Sequence, residues 1–156
     1  MSEASEYVLT ESVTHVSDEI LAALASLVPQ LSSTASALTR QHLEAVVADP
    51  STELLIARLG DAVVGTLTLV TYTIPTGLRA RIEDVVVDHA ARGHGIGKAL
   101  TASALELAEH RGARTIDLTS TPTKTAANQL YQNLGFTPRE TTTYRHITRS
   151  PTPQLR

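Results

Sequence analysis

Residues 81–100, RIEDVVVDHAARGHGIGKAL, constrain the fold more than any other stretch of the sequence. Three consecutive valines are followed by three glycines within five residues and then by apolar residues at helical spacing. This order predicts a buried strand that enters a helix through a glycine-rich turn. Main-chain N–H groups at the start of such a helix attract an anion, and glycines let the anion approach. The stretch therefore predicts a phosphate-binding turn.

Two common phosphate-binding motifs are excluded by the spacing of these glycines. A P-loop needs four residues between its glycines and then Gly-Lys-Ser/Thr, whereas the sequence here is GHGIGKA. The dinucleotide fingerprint needs GxGxxG within a βαβ unit, and here the third glycine comes one residue too early. The turn therefore belongs to another class of phosphate site.

Composition predicts one soluble domain over residues 1–149, followed by a flexible tail at 150–156. The chain of 156 residues is 42% hydrophobic and 19% charged, as is typical of globular proteins. No apolar stretch approaches the roughly 18 residues of a membrane span, and MSEASEY at the N-terminus lacks a signal-peptide pattern. We therefore expect a cytoplasmic protein with no membrane partner.

Charge and reactive residues exclude several further classes of function. The net charge is −3 without a basic stripe, which disfavours a nucleic-acid partner. The absence of cysteine removes thiol nucleophiles, disulfides and thiolate metal sites. The six histidines are scattered, so no metal site is predicted. A Ser-His-Asp hydrolase is not supported because no Gly-x-Ser-x-Gly elbow exists.

The first third of the sequence predicts one strand and two short helices. Ser17 or Asp18 is placed to cap the first helix. The predicted elements are a strand at 7–15, a helix from there to about Val28, a polar loop at 29–36 and a helix at 39–48. That loop is either a simple connector or one wall of a pocket.

The middle of the sequence predicts a mixed sheet. Two β-rich runs flank Gly60-Asp61, and residues 75–77 turn the chain into a third strand, which makes an antiparallel meander. A helix ending at Gly112 and a strand at 114–120 follow. Such a crossover makes its flanking strands parallel, so residues 81–87 should lie beside residues 115–119.

The last part of the chain predicts one more helix and an extended segment. Thr121 and Pro122 suit the N-cap and first turn of the helix, and Gly135 suits its end. The segment 136–147, FTPRETTTYRHI, is expected to form a hairpin.

Arg92-x-x-Gly95-x-Gly97 resembles the pyrophosphate signature of the GNAT superfamily of acetyl-CoA-dependent N-acetyltransferases. About thirty residues later, AANQLYQNLGF at 126–136 is similar to the second signature of that superfamily. The resemblance implies an α/β (α+β) fold. Its mixed, mostly antiparallel sheet would have a splayed parallel central strand pair and about four flanking helices.

The resemblance also implies how acetyl-CoA would bind, without a metal. Main-chain groups of Val85, Val86 and Val87 would contact pantetheine in the splay. The pyrophosphate would be held by the turn, whose residues are Arg92, Gly93, His94, Gly95, Ile96, Gly97 and Lys98. Many relatives have a pantetheine-binding asparagine where this chain has Lys124. Asn128, one helical turn later, is the candidate replacement, while Lys124 could instead reach a phosphate.

Three candidate groups for acetyl transfer follow from the same resemblance. The main-chain N–H of Val87 would polarise the thioester carbonyl, and Tyr131 would protonate the departing thiolate. By strand alternation, Glu83 is expected to share a face with Val85 and Val87, as a base for the amine or a ligand of its ammonium. Packing alone would also explain Tyr131, and Glu83 could be structural.

The function expected from these residues is acetyl transfer to a primary amine of a small molecule. Two alternatives stay open: a protein lysine or N-terminal acetyltransferase, and a non-catalytic acyl-CoA sensor. The loop at 29–36 and the segment TTTYRH at 141–146 are expected to line the acceptor pocket, but neither indicates a specificity. A homodimer is compatible with these expectations.

Overall fold

The computed structural model describes residues 7–149, in which strands and helices form one mixed α/β unit. The elements are β1 (Val8–Ser12), α1 (Asp18–Leu31), α2 (Arg40–Ala48), β2 (Thr52–Leu59), β3 (Ala62–Ile74), β4 (Gly77–Val87), α3 (Ile96–His110), β5 (Ile116–Asp117) and α4 (Thr125–Asn133). A short 3-10 turn, His89–Ala91, follows β4. Residues 1–6 of the predicted domain and the predicted tail at 150–156 lie outside the described residues. Within the described part, no helix has the length and apolar character to cross a membrane.

The five strands lie in chain order, β1-β2-β3-β4-β5. Neighbouring strands are antiparallel except for β4 and β5, which are parallel. The turn between β2 and β3 begins at Gly60, whose φ of +60° lies in the left-handed region that glycine adopts without strain. The predicted meander, crossover and mostly antiparallel mixed sheet are confirmed.

The parallel pair is joined only at its beginning. Ala80 pairs with Ile116 and Arg81 with Asp117, and β5 ends there. From Ile82 onward, β4 has no strand partner on that side among residues 7–149. The two strands therefore splay apart, as predicted, and one edge of β4 is left open.

Two hydrophobic cores cover the opposite faces of the sheet. One lies under α3 and includes Leu67, Leu69, Ile82 and Leu100. The other lies under α1 and α2 and is formed by Val13, Val16, Ile20, Leu24, Leu43, Leu54 and Ile56. The amphipathic spacing of the helices explains this arrangement, since each helix buries one apolar stripe against the sheet.

Gly65 in β3 brings α3 unusually close to the sheet. A Cβ atom at this position would lie 2.8 Å from Cγ2 of Ile96 and 3.1 Å from Cδ1 of Leu100. At 2.8 Å the neighbouring atom would have to shift, and 3.1 Å is tighter than most real Cβ contacts. The first turn of α3 is therefore held against β3 because position 65 has no side chain.

A bulge interrupts β4 at Asp84. The neighbouring register pairs are Thr68↔Glu83 and Thr66↔Val86, so β4 holds one residue more than β3 between them. Asp84 has a φ of +50°, which is uncommon outside glycine but most accessible to Asn and Asp. The extra residue reverses the alternation of side chains along the rest of β4.

Because of the bulge, Glu83 does not lie on the face of β4 that was predicted for it. Before it, Ile82 faces the core under α3; after it, Val85 and Val87 pack against that same core. Glu83 therefore shares its face with Val86, on the side of α1 and α2. The prediction that Glu83 lies on the same face as Val85 and Val87 is wrong, because it assumed an uninterrupted alternation.

The first helix is longer than predicted. It continues through Pro29 to Leu31, and Ser32 N–H donates to Val28 O at 3.1 Å. Proline in the last turn removes one intrahelical hydrogen bond but has a helical φ, so the chain does not need to unwind there. The connecting loop is consequently shortened to residues 32–39.

The last helix begins later than predicted. The main-chain N–H of Lys124 donates to Thr121 O at 3.1 Å, and α4 starts at Thr125. Thr121 is therefore not its N-cap. Pro122 instead occupies the second position of a tight turn, where its fixed φ is equally favourable.

The end of the described chain differs most from expectation. The predicted strand at 114–120 contains only the two residues of β5, and the predicted hairpin at 136–147 is absent. Phe136 packs against the core, but every residue from 137 to 149 is exposed and outside helix and strand. We call residues 137–149 the C-terminal arm. Its threonines favour β-structure, but a strand requires a partner, and the described chain pairs none with it.

Candidate active site

The glycine-rich turn forms an anion cradle at the start of α3. Gly95 is the N-cap and has a φ of +75°, and Gly93 has a φ of +83°. The first main-chain bond across the helix start runs from Ala99 N–H to Gly95 O, at 3.0 Å. The N–H groups of Ile96, Gly97 and Lys98 precede it and so lack intrahelical acceptors. With no acidic residue in the first turn, this end of the helix carries positive potential.

The side chains of the turn have different roles. Ile96 is only 2% exposed because its side chain packs into the core, which leaves its N–H as its sole group for a ligand. Arg92 and Lys98 are exposed cations beside the cradle. The Nδ1 atom of His94 lies 3.0 Å from Ala91 O, so this ring is held back against the preceding turn.

The open edge of β4 leads directly into this cradle. Asp88 N–H donates to Val64 O at 2.7 Å, which makes these two residues a hydrogen-bonded antiparallel pair. Hydrogen-bonded and non-hydrogen-bonded pairs alternate along two antiparallel strands. The main-chain N–H and C=O of Val86 therefore bond to β3, whereas those groups of Val85 and Val87 point into the splay. Of the three valines expected to contact pantetheine, Val86 therefore has its N–H and C=O directed elsewhere.

Glu83 is bound by Arg81 on the same face of β4. Nε of Arg81 donates to Oε1 of Glu83, and both side chains are about one third to one half exposed, at 35% and 44%. The neighbouring Asp84 has a raised pKa, because its carboxyl group is partly desolvated and lies near the charge of Glu83. The splay point thus carries two adjacent carboxylates and one guanidinium.

A groove of about 1040 Å³ lies beyond β5, between this strand, α4 and the C-terminal arm. We call it the β5 groove. Its lining includes Arg81, Asp117, Thr119, Asn128, Tyr131, Phe136, Thr141 and Thr143. Since Arg81 also binds Glu83, this guanidinium connects the groove with the carboxylates on β4.

Tyr131 is half-buried in the wall of the β5 groove. Burial raises the pKa of its hydroxyl group, because the phenolate would be poorly solvated. Its ring meets Phe136 edge to face, with 5.9 Å between the ring centroids. The side chain therefore packs against a neighbour and also keeps a protonated hydroxyl group at neutral pH.

Asn128 and Lys124 lie near the start of α4. Nδ2 of Asn128 donates to Thr121 O at 3.0 Å, so this side chain fastens the preceding turn to the helix while lining the β5 groove. Lys124 is exposed at the N-cap position. Two residues beyond Asn128, Cδ1 of Leu130 lies 3.6 Å from where a Cβ of Gly97 would be, which brings α4 beside the cradle.

Two features of the site were not predicted from the sequence. The bulge at Asp84 had one available signal, since aspartate is disfavoured inside strands. Gln30 had none: its Oε1 accepts from the N–H of His89 at 3.0 Å, across 59 positions of sequence. This bond joins the end of α1 to the entrance of the phosphate turn.

The structure groups the predicted residues into two neighbouring sets. The turn, Val85 and Val87 surround the start of α3, while Tyr131 and Asn128 line the β5 groove. Glu83 lies between these sets on the α1 side of β4. Within residues 7–149, no group of three histidine, aspartate or glutamate side chains is arranged to hold a metal ion.

Comparisons with known proteins agree on one family. The family model described as Acetyltransferase (GNAT) family matches residues 20–136. A mycothiol acetyltransferase of Beutenbergia cavernae is 33% identical over 90 residues, which cover 58% of this chain and 30% of that protein. The matched part is thus under a third of that relative's length.

Solved structures give the same result for the fold. A structure titled as a transcriptional regulator from Bacillus halodurans C-125 has a TM-score of 0.76 and 27% identity, covering 90% of this chain and 100% of that one. AAC(6')-Iy, in complex with a bisubstrate analog, CoA-S-monomethyl-acetylneamine, has a TM-score of 0.74 and 18% identity. That alignment covers 91% of this chain and 99% of the other, and at this identity it shows the shared fold alone.

Proposed function

Because the chain belongs to the acetyltransferase (GNAT) family, we propose that it transfers an acetyl group from acetyl-CoA to a primary amine of a small molecule, by direct attack in a ternary complex. One observation carries this proposal. The open edge of β4 leads, through the 3-10 turn at His89–Ala91, into a cradle of N–H groups that lack intrahelical acceptors. A ligand with an amide-containing chain attached to a pyrophosphate matches both parts.

The order of these parts along β4 sets the direction of the cofactor. With the pyrophosphate on residues 92–98, pantetheine runs back along Val87 and Val85, and the thioester lies toward Glu83. The N–H of Val85 is then nearer to the thioester carbonyl than that of Val87, which was the donor suggested by sequence. We therefore assign carbonyl polarisation to Val85.

Glu83 accepts the proton that the attacking amine must lose, directly or through a water molecule. Its bond to Arg81 fixes one carboxylate oxygen and leaves the other for the amine. The amine nitrogen attacks the thioester carbon, and the carbon–sulfur bond breaks as the tetrahedral intermediate collapses. Tyr131 gives its hydroxyl proton to the departing thiolate.

A small-molecule acceptor is favoured by the names of two similar proteins. One is named for mycothiol, and the other was solved with an acetylneamine derivative. The β5 groove is of a size that admits a small ligand beside the cofactor.

The test is coenzyme A release from acetyl-CoA against matched acceptors: amino acids, aminoglycosides, polyamines and lysine peptides. A thiol reagent reports this without background because the chain contains no cysteine. Release with a small amine supports the proposal. Coenzyme A release with peptides alone would identify a protein acetyltransferase instead. Tight acetyl-CoA binding without any transfer would indicate a sensor.

A further inference from the structure

Arg81 and Glu83 border an open part of the sheet on its α1 and α2 side. The strand register places Val70 of β3 opposite Arg81 and Thr68 opposite Glu83. Val70 is only partly buried and belongs to neither hydrophobic core. The two charged side chains are partly exposed as well. Because Glu83 is the proposed base, the amine has to bind on this part of the sheet.

The guanidinium of Arg81 has hydrogen-bond donors that the described chain does not use. Within residues 7–149 it makes one side-chain hydrogen bond, from Nε to Oε1 of Glu83. Its Nη1 and Nη2 atoms carry the remaining N–H groups. In the same residues, no ion pair joins Arg81 to Asp84 or to Asp117, its register partner on β5. Unpaired Nη atoms on one planar group suit a carboxylate, which they bind through two parallel hydrogen bonds.

Arg79, two residues earlier on the same face of β4, stabilises the fold instead. Its Nη1 donates to Oγ1 of Thr115 and its Nη2 to Oγ1 of Thr76, both at 2.9 Å. These bonds fasten the start of β4 to the residue before β5 and to the preceding turn. Arg81 therefore differs from its neighbour in having its terminal nitrogens left for a ligand.

The pair of Arg81 and Glu83 is complementary to the zwitterion of an α-amino acid. Their mutual bond leaves one carboxylate oxygen of Glu83 beside the Nη atoms of Arg81. An α-amino acid carries an ammonium group and a carboxylate on one carbon atom, so each charge meets its opposite. Polyamines and aminoglycosides have no carboxylate, and a peptide N-terminus has lost its α-carboxylate to the peptide bond. These amines would leave the charge of Arg81 without a partner.

We propose that the amine substrate is a free α-amino acid, whose ammonium group is bound by Glu83 and whose carboxylate is bound by Nη1 and Nη2 of Arg81. This inference rests on the proposed function and names the class of its amine substrate. The carbon–sulfur bond of acetyl-CoA breaks and a carbon–nitrogen bond forms, which gives an N-acetyl amino acid and coenzyme A. Of the two protons that the ammonium group loses, one balances the proton gained by sulfur and the other is released to solvent. The carboxylate is unchanged.

Amino acids and their amides test the role of the carboxylate. Coenzyme A release is compared for common L-amino acids and the corresponding amides, with L-leucine first because the apolar Val70 borders the site. We expect kcat/KM to be at least about tenfold higher for the acids, because an amide leaves the charged Arg81 unpaired. The amides have less basic amines, so a preference for the more reactive neutral amine would give the opposite order. Amides that react as well as the acids would overturn the inference and leave the proposed function standing.

Arg81→Gln tests whether this residue binds the carboxylate. The ratio of kcat/KM for L-leucine to that for L-leucinamide should fall toward one, whatever change in absolute rate follows from the lost bond to Glu83. Arg79→Gln is the matched control and should keep the ratio, because the bonds of Arg79 serve the fold. Circular dichroism checks that both variants fold. A ratio that survives Arg81→Gln would overturn the inference.

Calorimetry separates this inference from the proposed function. L-leucine should bind to the chain saturated with coenzyme A at least about tenfold more tightly than L-leucinamide, without any transfer. Binding of L-leucine without coenzyme A release from acetyl-CoA would retain the amino-acid site and refute the catalysis. Transfer to other amines, with neither binding nor acetylation of any amino acid, would retain the catalysis and overturn the inference. Neither binding nor transfer with any amine would overturn both.

Discussion

Oε1 of Gln30, in the last turn of α1, accepts a hydrogen bond from the N–H of His89, two residues beyond the Val87 that ends β4. The end of α1 is thereby fastened to the 3-10 turn that precedes the cofactor turn. A side chain in no recognisable motif thus ties α1 to the segment that leads into the phosphate turn.

Gln30→Ala should lower the free energy of unfolding by about 1 kcal/mol, as expected for one lost hydrogen bond. Urea denaturation measures this change. Gln41→Ala is the matched control, because Gln41 is exposed on α2. Equal stability of the two variants would show that the bond to His89 contributes nothing.

Most of the fold could be predicted because its signals are local. The turn at Gly60, the crossover and the end of α3 each follow from glycine placement and hydrophobic spacing. The bulge at Asp84 could not, because it depends on how β4 pairs with β3. The face of Glu83 was assigned wrongly for that reason alone.

The candidate site divides in the same way. The phosphate turn is continuous in sequence, so its residues were found together. Which valines turn their main chain to the cofactor depends on strand pairing, and only the bond from Asp88 to Val64 distinguishes Val85 and Val87 from Val86. The failed hairpin at 136–147 shows the same limit, since strand propensity does not supply a partner.

Gly95→Asp should weaken acetyl-CoA binding at least tenfold, because it places a carboxylate where the pyrophosphate is proposed to bind. No atom lies within 4 Å of a Cβ at this position, so steric exclusion by the protein is not the cause. Gly95→Asn is the control, with the same size and left-handed φ but no charge. If calorimetry finds equal acetyl-CoA affinities for the two variants, the pyrophosphate does not bind at this turn.

Tyr131→Phe should slow acetyl transfer on the order of a hundredfold while leaving acetyl-CoA affinity nearly unchanged. The ring contact with Phe136 is retained, so packing survives. Single-turnover kinetics is the deciding measurement, because slow product release could conceal the effect in steady state. Tyr72→Phe, on the distal part of β3, should be silent. A Tyr131→Phe variant as fast as the parent would reduce Tyr131 to a packing residue.

Asp84→Asn should alter the pH dependence of stability in a defined direction. Folding raises the pKa of Asp84. In the pH window between its ordinary and raised pKa values, this carboxyl group is therefore protonated in the folded state and ionised in the unfolded state. Its contribution to stability therefore falls as pH rises through that window, and it is unfavourable at neutral pH. Asparagine tolerates the left-handed φ and cannot ionise.

The variant should consequently gain stability relative to the parent as pH rises from about 3 to about 7, within the titration range of carboxyl groups. Denaturation of both proteins at a series of pH values gives this difference. Glu19 and Asp49 have lowered pKa values, but both proteins contain them, so their contributions to the pH dependence cancel. A difference independent of pH would mean that the carboxyl group of Asp84 is not perturbed by folding.

Gly65 has a consequence for anyone who selects variants of this protein. It offers no group to the proposed ligand, yet any larger residue would push against Ile96, where the anion-binding helix begins. A library screened for tighter or weaker cofactor binding should therefore return changes at position 65, and each should carry a loss of thermal tolerance. Changes at position 65 should therefore affect cofactor affinity and thermal stability together, because β3 and α3 leave no room there for a Cβ atom.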